Sequence, residues 1–153
     1  MAHDWFGQTA ARLALPVIAA PMFLVSGVEL VTAACASGVI GSFPTVNCRT
    51  SEEVDAWLTR IRTQVAAHEQ ATGRQAAPWC ANLVVHRSNA RLMSDVAILV
   101  RHQPELVIAS VGSPAPIIGP LHDVGAHVLV DVATIRHAER ALEAGADGLV
   151  LLT

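Results

Sequence analysis

Residues 16–45 read PVIAAPMFLVSGVELVTAACASGVIGSFPT, a buried strand, a Pro-Met break, a helix and a second strand in direct succession. Residues 17–20 are apolar throughout, as a strand covered on both faces requires, and Pro21 removes a ladder donor where that strand stops. Residues 22–27 then form a loop at the strand's C-terminal end. Parallel α/β folds place their ligands at that end, so this apolar, backbone-rich loop reads either as a small-molecule site or as a tight packing turn.

Outward from this unit the same alternation continues. Short apolar runs predict strands at 17–20, 39–43, 81–85, 106–110, 127–130 and 148–152, and segments of helical period predict helices at 28–36, 52–71, 90–102, 115–124 and 135–144. The second helix is the clearest: Thr50 or Ser51 caps it, Glu52 and Glu53 fill its first turn, and Val54, Trp57, Leu58, Ile61 and Val65 recur at helical spacing, which makes Trp57 a core residue. Thr134 caps the fifth helix, and Gly145 ends it before the last strand. No repeat, linker or low-complexity tract divides the chain, so residues 1–153 form one domain. Right-handed crossovers give a barrel if such a sheet curls and a doubly wound layer if it stays open.

Composition excludes several functions. With 52% apolar residues the chain has the buried character of a parallel-sheet protein. No apolar run is long enough to span a membrane, and the N-terminus MAHDWFGQ lacks the basic region of a signal peptide, so a cytoplasmic location is expected. A net charge of −3, with scattered basic residues, leaves no footprint for nucleic acid. All ten basic residues are arginines, which rules out a catalytic lysine within the chain. Cys35, Cys48 and Cys80 lack metal-site or disulfide spacing and read as reduced structural thiols; the histidines lack HExxH or HxxxH spacing, and no metal is expected. There is no GxGxxG, P-loop or GxSxG.

The candidates for chemistry lie where strands end: Pro21, Met22, Pro44, Thr45, Asn82, His86, Ser110, Gly112, Asp131 and Thr153. Asn82 sits in an apolar strand and must satisfy both a donor and an acceptor, on the edge of a flat heteroaromatic ligand or on a neighbouring loop. Asp131 follows the apolar residues 128–130 and reads as a loop anchor or a site acid. His86, beside Arg87 and Ser88, reads as a general base or a solvated loop residue. His102, His122 and His137 fall on helices, away from the ligand end.

The APM break, the helix running into SGVIGSF, the third strand carrying NL, the SVGSP turn and the closing EAGADGLVLL together resemble the nitronate monooxygenase family, formerly 2-nitropropane dioxygenases, from about Pro16 to Thr153. The resemblance implies an FMN-dependent (β/α)8 TIM barrel, here about six parallel strands and five crossover helices. It implies that Ala20, Pro21 and Met22 lie against the isoalloxazine, that Asn82 hydrogen-bonds the flavin, and that Ser110 and Asp131 lie at the same cofactor site. Small-molecule partners would be an alkyl nitronate or nitroalkane and oxygen, converted to a carbonyl compound and nitrite. Family members continue into an AGGH-like stretch whose histidine is the catalytic base and into two more βα units whose loops grip the phosphate. The expectation is therefore an N-terminal part of the barrel, truncated after Thr153, inactive by itself, with His86 as the in-chain catalytic candidate. Two alternatives accompany it: an FMN-dependent, NAD(P)H-linked enoyl reductase, and a non-catalytic half-barrel that self-associates through exposed strand edges.

Overall fold

A computed structural model of the chain describes residues 5–152; Thr153, one of the strand-end candidates, lies outside them. Six strands, β1 (Ile18–Ala19), β2 (Ile40–Pro44), β3 (Trp79–Val84), β4 (Leu106–Ser110), β5 (His127–Val132) and β6 (Gly148–Leu151), form one parallel sheet in chain order. A sheet whose order never reverses winds steadily in one direction, which is barrel topology; a doubly wound sheet would show a switch point. The fold is an incomplete α/β barrel of the TIM type.

Helices α1 (Trp5–Ala10), α2 (Val28–Ala36), α3 (Ser51–Thr72), α4 (Leu92–His102), α5 (Ala115–His122) and α6 (Ile135–Glu143) complete it. Thr50 caps α3 by accepting from the Glu53 N–H at 3.2 Å, and Thr134 caps α6 by accepting from His137 N–H at 3.1 Å. Because strand side chains alternate, the sheet has two apolar layers. On its outer face Phe43, Leu83, Val107 and Val128 pack with Leu58, Leu99 and Ile117 of the helices, and Trp57 lies half-buried against that layer. On its inner face Ile40, Cys80, Leu106 and Ile108 pack with Ile18, Leu129 and Trp5. The five crossover helices are the expected ones; α1 is additional. Gly7 and the shortness of α1 hide it in the sequence, and Trp5, stacked on His127 at 4.4 Å, ties it to the inner layer at the N-terminal ends of the strands.

Three strands differ from expectation by two residues. The first is not a strand covered on both faces: β1 is two residues long, Val17 is exposed, and only β2 pairs with β1 among the described residues. β3 begins two residues earlier than its apolar run, because Trp79 and Cys80 join the ladder opposite Gly41 and Ser42. β5 extends to Val132, so Asp131 stands within the strand rather than after it. No described helix is long and apolar enough to cross a membrane.

Candidate functional site

The inner face changes character along the strands. Apolar through Cys80, Ile108 and Leu129, it becomes polar toward the C-terminal ends, where alternation brings Ser42, Asn82, Ser110 and Asp131 to the same side. Asn82 Nδ2 donates to the Ser110 hydroxyl at 2.6 Å and to the Ile108 carbonyl at 3.2 Å. The Ser110 hydroxyl donates in turn to Asp131 Oδ2. Three of the sequence-predicted residues thus form one hydrogen-bonded row across β3, β4 and β5. Asn82 and Ser110 are buried and Asp131 is half-buried. Both amide hydrogens of Asn82 are committed within the sheet, which leaves Oδ1 as a free acceptor.

Residues 20–22 stand at the end of β1. Ser26, almost fully buried, accepts from Met22 N–H at 3.0 Å and donates to the Ala20 carbonyl at 3.2 Å. Asn47 donates to the carbonyls of Met22, at 3.1 Å, and Ser26, at 2.8 Å, and accepts from Leu24 N–H at 2.9 Å. Ser42 donates to the Ala19 carbonyl. Pro21 has no N–H, and the Met22 N–H and the Ala20 and Met22 carbonyls are bonded within the protein, so the wall is largely apolar. Nothing in the sequence marks Ser26, Ser42 and Asn47, because a serine or asparagine near a turn is too common for its long-range partners to show.

A cavity of about 860 Å³ opens beside Asp131, lined by His86, residues 111–114 and α6 through His137, Arg140 and Ala141. It unites Asp131 with His86 but does not reach Asn82 or residues 20–22. His137, expected away from the ligand end, lies in this lining because it falls in the first turn of α6, directly after the C-terminal end of β5. His86 Nδ1 accepts from the Ser88 backbone N–H at 3.2 Å and meets the Ser88 hydroxyl at 2.7 Å, so the neutral ring carries its proton on Nε2 and acts as a donor. Val111, a β-branched residue at φ 59°, and Gly112, at φ 146°, make the turn from β4 into this lining. A Cβ on Gly112 would stand 2.8 Å from the Val85 carbonyl oxygen, so the SVGSP turn lies directly on the end of β3.

The thiols take no part. Burial pushes Cys35 up to about 11; burial, then the nearby Glu53 carboxylate, pushes Cys48 up to about 12, and burial raises Cys80 as well. An isoalloxazine fits what remains. Its flat apolar face suits the 20–22 wall, and its ring edge, with an N–H between carbonyls, suits the free acceptor of Asn82.

Neither a family model nor a curated protein sequence matches the chain. Solved structures do match. FabK from Thermotoga maritima superposes with a TM-score of 0.79 over 99% of this chain and 44% of its own, at 16% identity. Nitroalkane oxidase from Streptomyces ansochromogenes gives 0.76 at 21% identity, over 93% of this chain and 47% of its own. A mandelate oxidase mutant with a monooxide FMN adduct gives 0.60 at 18% identity, over 96% and 48%. The chain spans less than half the length of each of these proteins. Over almost all of its length, then, this chain has the fold of part of the barrel found in FabK and nitroalkane oxidase.

Proposed function

We propose that this chain supplies the flavin-ring part of an FMN-dependent oxidoreductase that oxidises alkyl nitronates with oxygen to carbonyl compounds and nitrite. The observation that carries the reading is the Asn82–Ser110–Asp131 row, set at the ligand end of a barrel whose solved counterparts include a nitroalkane oxidase and an FMN-containing oxidase. FMN, when bound, supplies the electron acceptor that no protein side chain provides. The residues of this chain do the rest by placement. Asn82 Oδ1 accepts from the ring N–H, Ser110 fixes both Asn82 and Asp131, and the apolar 20–22 wall keeps water from one side of the ring.

The test is an FMN titration followed by visible absorbance, then addition of an alkyl nitronate in air with nitrite quantified, both with and without a separately expressed second half-barrel. The expected result is a perturbed flavin spectrum and nitronate-dependent nitrite once both halves are present. A flavin-loaded protein that is reduced rapidly by NADH or NADPH and inert toward nitronates overturns the substrate assignment in favour of a reductase. An unperturbed FMN spectrum in every mixture overturns the flavin assignment itself.

A further inference from the structure

We propose that Asn47 is the positioning residue of the 20–26 wall, and that Arg91 and Asp95 hold Asn47 in register; the role of that wall toward a flavin rests on the function proposed above. Phe23, Leu24 and Val25 are 63%, 79% and 63% exposed, so hydrophobic burial does not anchor this segment. Leu24 is also held at φ 62°, a conformation that a non-glycine residue keeps only when its surroundings impose it. What imposes it is polar. Asn47 places three of its side chain's hydrogen bonds on the backbone of this one loop, at Met22, Leu24 and Ser26, and Ser26 closes the loop back on Ala20 and Met22. Only a primary amide donates twice and accepts within that reach; aspartate would set a carboxylate against two carbonyl oxygens, and leucine would leave all three groups unpaired.

Asn47 is itself fixed from both sides. It ends the single 3₁₀ turn Thr45–Asn47, and the guanidinium of Arg91, from the start of α4, donates to the Thr45 carbonyl at 3.2 Å and the Cys48 carbonyl at 2.9 Å. Arg91 is paired at 3.5 Å with the fully buried Asp95, whose other oxygen accepts from the Ser51 hydroxyl at 2.6 Å. A continuous polar path therefore links α4, the turn after β2 and the wall at the end of β1. The two loops are separated in sequence by the whole of α2 and β2, so the wall's geometry is set by contacts that neither loop contains.

The test is amide hydrogen exchange on the chain without cofactor, comparing the unaltered protein with N47A and S26A. Asn47 is half-exposed in a turn and Ser26→Ala is a near-isosteric change, so both variants are expected to fold, with exchange in β3 and β4 unchanged. N47A is expected to speed exchange at Leu24 by about tenfold or more, and S26A to do the same at Met22. Unaltered exchange at Leu24 in N47A overturns the proposal. A second readout is the visible spectrum and dissociation constant of added FMN, with N47A expected to weaken binding about tenfold and shift the bound band. Faster exchange in N47A with an unchanged FMN spectrum and affinity overturns the wall's role in positioning the ring. Failure of the unaltered protein to perturb FMN both without and with the second half-barrel refutes the function proposed above, and the exchange at Leu24 still decides for or against Asn47.

Discussion

Ser110 is the member of the polar row that both neighbours need, since its hydroxyl accepts from Asn82 and donates to Asp131. Ser110→Ala would leave a buried amide hydrogen and a half-buried carboxylate oxygen without their partner. The expected cost is about 1–3 kcal/mol in urea denaturation, with FMN affinity falling alongside it. The three cysteines lead to a different outcome. All are buried, with Cys35 and Cys48 pushed up to about 11 and about 12, so at neutral pH none presents a thiolate. A thiol reagent such as Ellman's is expected to label none of them in the native protein and all three after unfolding; fast native labelling would show that the core opens readily. At this scale the sequence was informative about which residue types were out of place. An asparagine and an aspartate among valines and leucines demand partners wherever they fold, but the identity of the partner, Ser110, is not contained in either local stretch.

Elements meet through a few close approaches. Gly41 of β2 lies against α2 so tightly that a Cβ would stand 2.3 Å from the Val31 carbonyl oxygen and 2.9 Å from its Cα, both backbone atoms of a packed helix. Gly41→Ala is expected to cost about 1–3 kcal/mol by forcing α2 away from the sheet, read as a lowered urea midpoint with an unchanged slope. Asp55 of α3 pairs with His102 of α4 at 2.7 Å and with Arg101 at 3.1 Å. The hydrogen bond from His102, then that from Arg101, holds the Asp55 carboxyl below its ordinary range. A carboxylate with a depressed folded-state pKa contributes stability that is fully present above the ordinary carboxylate range and is lost as pH falls through the folded value. Asp55→Asn is therefore expected to flatten the acid limb of the stability curve below about pH 4, measured by denaturation across pH, and an unchanged limb would refute it. The caps at Thr50 and Thr134 were legible because a cap and its helix are neighbours in sequence. The length of β1 was not, since a strand's length is set by its partner, and among the described residues β1 has only β2.

As a whole, the described chain is a sheet with one long open side. Nothing among the described residues pairs with the outer edge of β6, and Leu151 there is largely exposed. Unpaired strand edges carrying apolar side chains drive pairing with other chains. The isolated chain is expected to self-associate in light scattering in a concentration-dependent way, and a stable monomer at high concentration would count against this. The row at Asn82, Ser110 and Asp131 and the wall at residues 20–22 belong to this scale too, since they stand at the same end of the sheet only because its strands run parallel in one unbroken order.

The sequence by itself determined the alternation of strands and helices, their parallel arrangement and the positions of buried polar residues, because each follows from local period, capping and the cost of an unpaired polar group in an apolar run. Only the tertiary structure decided that the sheet winds without reversal, that Asn82 bonds Ser110 and Ser110 bonds Asp131, that His137 joins the cavity, and that Asn47 holds residues 22–26. The physical reason is that strand register, inner or outer facing and loop-to-loop contacts are properties of pairs of segments far apart in the chain, and no single segment carries them.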